Sequence, residues 1–116
     1  MPLAQIIGTG SYAPAQVITN QDLEKIVDTS DAWIVERTGI RERRKAAPGE
    51  ARSDMAVAPG REALAMAGVR PDELELIVVG TITPDMPMPS CAVFVQAKLG
   101  ASKAFAFDVA AACAGG

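Results

Sequence analysis

The run Leu76-Ile77-Val78-Val79, inside "ELELIVVGTIT", constrains the fold more than any other feature of the chain. Its consecutive apolar residues leave no polar face, and a strand of that kind belongs where both faces are covered, as in a parallel sheet. Parallel neighbours need a crossover, usually a helix. The rest of the chain is expected to alternate accordingly.

"LAQIIGTGSY" reads as a buried strand running into a turn at Pro14, and "KAFAFDVAA" as the last strand. Between them, "NQDLEKIV" spaces Leu23, Ile26 and Val27 for a helix, with a capping residue in front and acidic residues in its first turn. "TSDAWIVERTG" is a second short helix, capped by Thr29 or Ser30 and ended by Gly39. "SDMAVAPGREALAMAG" reads as a long helix facing a core through Met55, Leu64 and Met66 and closed by Gly68. Pro59 and Gly60 fall in its middle. Interior proline costs a helix about 3 kcal/mol and glycine about 1 kcal/mol, so a kink, or a late start near Pro59, is expected. Pro84, Pro87 and Pro89 hold an extended loop before "SCAVFVQAKLG", a helix capped by Ser90 and ended by Gly100. This order predicts an α/β fold, a mostly parallel sheet with helices on both faces. The chain stops where the element after its last strand should begin. The domain is therefore expected to be incomplete as given, completed by a continuation of the polypeptide or by a separate chain.

At 116 residues and 49% hydrophobic, the sequence supports one small domain with a real core rather than disorder. Its 11 basic and 14 acidic residues give no overall attraction to nucleic acid or to an anionic membrane surface. No apolar run has the length to span a bilayer, and "MPLAQIIGTGS" lacks the pattern of an export signal, which leaves the cytoplasm as the expected location. In that reducing setting Cys91 and Cys113 read as free thiols, or as one working thiol. The absence of histidine excludes a Cys–His catalytic pair built from this chain alone, and any His-containing zinc site. No metal or cofactor is expected.

Three local signals bear on function. "GTGSYA" imitates a dinucleotide-binding fingerprint, but Pro14 follows directly and Gln16-Val17-Ile18 looks extended, so a turn is the better reading. In "AWIVERTGIRERRK", Arg37, Arg41, Arg43, Arg44 and Lys45 place five of the eleven basic residues in nine positions, a pattern that is most often a solvated face. Trp33 and Arg37 stand four apart and so share a helix face. An indole beside a guanidinium can hold a flat heteroaromatic ring, such as the adenine of a nucleotide tail, while the neighbouring arginines meet phosphates. On spacing alone, Trp33 as a partly buried packing residue remains the simpler reading.

The third signal is Cys113 in "DVAAACAGG". A cysteine among alanines is commonly a small buried hydrophobe. Against that, Ala and Gly let backbone and ligand come close, and a strand turning sharply into a helix displays its turn residue at the edge where α/β sites form. Helix N-terminal N–H groups there would favour the thiolate and could serve as an oxyanion hole. Cys113 is thus a candidate nucleophile, and Cys91, beside Pro89, is expected to be inert packing.

"IIGTGSYAP", "TNQDLEKIVDTSDAWIVERTGIRERR", "LIVVGTIT" and "AFDVAAACAGG", in this order, closely resemble the N-terminal part of β-ketoacyl-acyl-carrier-protein synthase III, a thiolase-fold condensing enzyme that starts bacterial fatty-acid synthesis. The resemblance covers essentially the whole chain. It implies a partial N-terminal thiolase-like domain over residues 1–116, ending just after the nucleophile, with the C-terminal half absent. Cys113 then takes an acyl group, usually acetyl, from coenzyme A, which is a substrate and not a cofactor. Trp33 and Arg37 match the residues that sandwich the coenzyme A adenine, Thr29 matches a neighbouring contact, and the basic stretch after them would meet phosphates or the acidic carrier protein. Met88 matches a bulky residue, often Phe, that reaches across a homodimer to line the partner's acyl pocket, and Ile82 replaces a residue commonly polar near that pocket. Malonyl-carrier protein is the implied second substrate, with a His and an Asn from the remainder of the enzyme assisting its decarboxylative condensation. Two alternatives stand beside this: starter-unit loading or acyl transfer in a polyketide- or quinolone-type pathway, and a catalytically silent fragment.

Overall fold

The computed structural model describes residues 3–114. The chain divides into two compact units, Ala13–Glu50 and Met1–Tyr12 with Ala51–Gly116.

In the smaller unit, β1 (Gln16–Thr19) pairs antiparallel with β2 (Glu42–Lys45), with Val17 opposite Arg44. Two helices, α1 (Asn20–Glu24) and α2 (Asp31–Thr38), lie between them in sequence. Thr19 caps α1 in a reciprocal box with Asp22: the Asp22 N–H donates to Thr19 Oγ1 at 3.2 Å and the Thr19 N–H donates to Asp22 Oδ2 at 3.0 Å. α1 is shorter than the spacing of Ile26 and Val27 predicts, and both residues are exposed. α2 has the predicted limits. Ser30 Oγ accepts from the Trp33 N–H at 3.1 Å, and Gly39 closes the helix at φ 70°, a left-handed turn that glycine adopts without a Cβ clash.

The larger unit holds a long helix α3 (Arg52–Ala67), a parallel pair β3 (Leu76–Gly80) and β4 (Phe105–Val109), and the crossover helix α4 (Cys91–Leu99) between the two strands. Leu76 lies opposite Phe105 and Gly80 opposite Val109. Cys91, Val95, Leu99, Ala101 and Ala104 form the core, with Val57 and Leu64 of α3 and Ile77 and Val79 of β3 packed against it. Burying side chains such as Val95 and Leu99 stabilises by about 1.5–3 kcal/mol each.

Four expectations are corrected here. α3 is helical from Arg52 to Ala67 straight through Pro59, so there is no late start. Both of its ends are fixed, by the Ala51 N–H donating to Asp54 Oδ2 at 2.9 Å and by Gly68 at φ 66°. Met66 is exposed, whereas Leu64 packs against the core as expected, joined by Ala56 and Val57. Residues 3–14 form no strand. They cross α3 at backbone contact distance: a Cβ at Gly8 would lie 2.3 Å from the Ala63 carbonyl oxygen, and one at Gly10 would lie 2.1 Å from that of Pro59. The glycines of "GTG" are there for close approach to a helix, consistent with rejecting a dinucleotide fingerprint. Finally, β3 is covered on one face only among the described residues. Ile77 and Val79 meet the core, while Leu76 and Val78 of β3 and Phe105 and Phe107 of β4 remain exposed.

Candidate active site

Cys113 follows β4 in a single tight turn, Ala112–Ala114, whose carbonyl-to-amide closure is the Ala114 N–H donating to the Ala111 oxygen at 3.1 Å. The helix expected beyond it lies outside the described residues. Ala112 has φ 49°, a left-handed conformation that costs a non-glycine residue about 1 kcal/mol or more. That strained turn presents Cys113 to the surface as a free, exposed thiol. The Ala114 N–H is spent on Ala111, so it is not free for an oxyanion.

The thiol opens into a cavity of about 510 Å³ that it shares with Arg52, Thr81, Ile82 and Thr83. A second cavity, of about 580 Å³, shares Thr81 and Ile82 with the first and continues to Met88 and Phe107. Ile82 therefore borders both. Ile82 and Met88, singled out by resemblance alone, sit on one loop, the first beside Cys113 and the second on the adjoining apolar cavity.

Cys91 has a different setting. It is fully buried, with its thiol 3.8 Å from Asp85 Oδ1. Burial, followed by the charges of Asp85 and Asp108, pushes this thiol up from its ordinary 9.0, as expected for inert packing. The expectation that Ser90 caps α4 is half right. Ser90 holds the N-cap position but its side chain makes no cap bond. The cap comes from β4 instead: Asp108 accepts from the Cys91 N–H at 2.6 Å and from the Ala92 N–H at 2.7 Å. Sequence reasoning missed Asp108 because it lies far along the chain from the helix it caps.

In the smaller unit, Trp33 is half exposed on α2, and the Arg37 guanidinium lies 4.7 Å from its ring centroid. The guanidinium thus lies over the indole ring and occupies its face. A flat ring between them needs roughly twice the ~3.5–4.0 Å contact distance of carbon atoms, so a sandwiched heterocycle requires Arg37 to swing aside. Thr29 and Trp33 share a cavity of about 320 Å³.

The basic run is not a uniform solvated face. Arg43, Arg44 and Lys45 lie on β2 while Arg37 lies on α2, and Arg43 is committed to Asn20, donating from Nη1 to Asn20 Oδ1. Asn20, fully buried, donates in turn to Asp31 Oδ1 at 2.7 Å and to the Ile40 carbonyl at 2.8 Å. It ties α1, α2 and β2 together, a role that nothing local in the sequence announces.

These features define a class first: an exposed cysteine on a strand-to-turn junction at the end of a parallel pair, in part of a thiolase-like fold. No family model matches the sequence. The chain is 60% identical over 110 residues, 95% of its length, to the beta-ketoacyl-[acyl-carrier-protein] synthase III of Symbiobacterium thermophilum, and covers 33% of that protein. It superposes on the crystal structure of 3-oxoacyl-[acyl-carrier-protein] synthase III from Aquifex aeolicus with a TM-score of 0.90 and 55% identity, covering 95% of this chain and 35% of the other. It likewise matches the priming beta-ketosynthase of the R1128 polyketide biosynthetic pathway, with a TM-score of 0.91 and 43% identity over 96% of this chain and 33% of that one. The chain is similar in sequence and fold to a portion of β-ketoacyl-acyl-carrier-protein synthase III and spans about a third of the length of the relatives it matches.

Among the described residues no helix is long and apolar enough to cross a membrane.

Proposed function

We propose that this chain carries the acyl-accepting part of a condensing enzyme that initiates fatty-acid synthesis. The observation that carries the reading is Cys113: an exposed thiol on a strained turn opening into its own cavity, in a chain 60% identical to a synthase III.

In this reading the Cys113 thiolate attacks the thioester carbonyl of acetyl-coenzyme A, forming an acetyl-cysteine and expelling the coenzyme A thiolate. Malonyl-acyl-carrier protein then loses carbon dioxide, and its carbanion attacks the acetyl carbonyl, releasing Cys113 and the β-ketoacyl product. This chain has no histidine, and its Asn20 is spent on Arg43, Asp31 and Ile40. The His and Asn that assist decarboxylation must come from elsewhere in the enzyme. Trp33 and Arg37 receive the adenine once Arg37 moves off the indole, Thr29 borders that site, and basic residues not committed within the fold meet phosphates or the carrier protein. Ile82 and Met88 bound the acyl group, Met88 by reaching a partner subunit in a homodimer. The setting is the cytoplasm.

A second reading, loading of a starter unit in a polyketide pathway, is favoured by the likeness to the priming ketosynthase. Supplying the purified natural polypeptide with acetyl-coenzyme A and malonyl-acyl-carrier protein separates the two. Formation of acetoacetyl-carrier protein supports fatty-acid initiation. Turnover only with longer or branched acyl-coenzyme A supports the second reading, and failure with every acyl-coenzyme A sinks both.

A further inference from the structure

The loop between β3 and α4 supplies one wall of the Cys113 cavity through Thr81, Ile82 and Thr83. Its large apolar side chains do not anchor it, since Ile82 is 62% exposed, Met86 45% and Met88 83%. Polar bonds do, and they come from two consecutive residues in the first turn of α3. Arg52 Nε donates to the Thr83 carbonyl at 3.1 Å and to its hydroxyl at 3.0 Å. Ser53, fully buried, donates its backbone N–H to Asp85 Oδ1 at 2.9 Å and its hydroxyl to Asp85 Oδ2 at 2.5 Å.

The Ser53 hydroxyl also accepts from Lys98 Nζ of α4 at 2.5 Å, so its donor and acceptor capacity are both engaged. Lys98 donates to Asp54 Oδ1 at 2.6 Å as well. A buried serine satisfied in this way fixes geometry, because any displacement of the loop strands a buried hydroxyl and a carboxylate at once. Burial works to raise the Asp85 carboxyl, but the two Ser53 bonds, with Lys98 nearby, outweigh it and keep Asp85 ionised and accepting.

We propose that the Ser53–Asp85 pair is a positioning device for the acyl site. It holds the Thr81–Thr83 wall against the Cys113 cavity and so limits the size of acyl group the thiol accepts. This rests on reading Cys113 as the acyl-accepting nucleophile. Neither Ser53 nor Asp85 lines that cavity, so both act through the loop.

The test compares the natural polypeptide with its Ser53→Ala and Asp85→Asn variants, two independent ways of weakening the same pair. Three quantities are read: the ratio of octanoyl- to acetyl-coenzyme A acylation rates at Cys113, the rate of Cys113 alkylation by iodoacetamide, and deuterium exchange of the Thr81–Met86 amides. The expected result is a rise in the acylation ratio of about tenfold in both variants, the range over which pocket size discriminates. Alkylation stays unchanged, showing an intact thiol, and loop exchange accelerates. Faster exchange with an unchanged ratio overturns the claim that this wall sets acyl size. Unchanged exchange overturns the claim that the pair holds the loop. No acyl adduct in the natural polypeptide removes the nucleophile reading and the selectivity claim with it, while exchange still decides whether the pair fixes the wall.

Discussion

The two cysteines lie in contrasting regions of the same unit. Cys91 opens a helix, is sealed in the core, and has carboxylates of Asp85 and Asp108 around it. Cys113 sits on a strained turn in a cavity whose described lining includes Arg52 and no carboxylate. Negative charge and burial both oppose a thiolate at Cys91. The lesson is that proximity to a strand end and a helix start does not make a cysteine a nucleophile. Access and the sign of the surrounding charge do.

The largest effect that can break this contrast is chemical. In the native protein, iodoacetamide should label Cys113 faster than Cys91 by roughly a thousandfold or more, since Cys91 reacts only when the core opens. Peptide mapping against time reads both rates, and comparable labelling would collapse the distinction.

Next in size is Asp108→Ala, which removes both charge-assisted bonds from the start of α4. A loss of about 3 kcal/mol in denaturant unfolding is expected, accompanied by faster Cys91 labelling. A change below about 0.5 kcal/mol would show that the cap does not secure Cys91.

The contrast also has an alkaline signature. Because the Cys91 thiol is raised in the folded state, the unfolded chain loses this proton first as pH rises above 9.0, and stability falls through that window until the folded thiol also ionises. Cys91→Ala should flatten the fall. Urea unfolding at pH 8 and pH 10 for the natural protein and this variant measures it.

The smallest effect lies in the other unit and sharpens the comparison by giving a carboxylate of opposite behaviour. Its bond with Lys25, and then the Thr19 bonds, lower Asp22 from the ordinary 3.8 to about 2. The contribution of this capping box is fully present above pH 3.8 and is lost as pH falls toward 2. An NMR titration of Asp22 with a midpoint near 4 would contradict the cap.

What could be read from the sequence divides along the same physical line. α2 was legible but for the choice between Thr29 and Ser30 as its cap, because Ser30 and Gly39 act within one turn of the backbone they cap. Trp33 and Arg37 were correctly placed on one face, yet helical spacing that brings them together also lets them stack on each other, closing the space meant for a ring. The exposed place of Cys113 on a tight turn was legible because a strand followed by small residues implies such a turn. Asp108 capping α4, Asn20 joining three elements and Ser53 holding Asp85 were not, since each pairing forms only after folding brings remote residues together. Residues 3–14 show the converse: apolar β-formers need a partner strand, and among the described residues they have a helix to cross instead.

Cys113 is proposed above as a built acyl acceptor. Its most direct test is to incubate the natural polypeptide with acetyl-coenzyme A and locate the acetyl group by peptide mass mapping, with Cys113→Ala and Cys91→Ala alongside. One acetyl group on the peptide containing Cys113, kept in Cys91→Ala and absent in Cys113→Ala, is the predicted result. No adduct at Cys113, or an adduct that persists in Cys113→Ala, would contradict it.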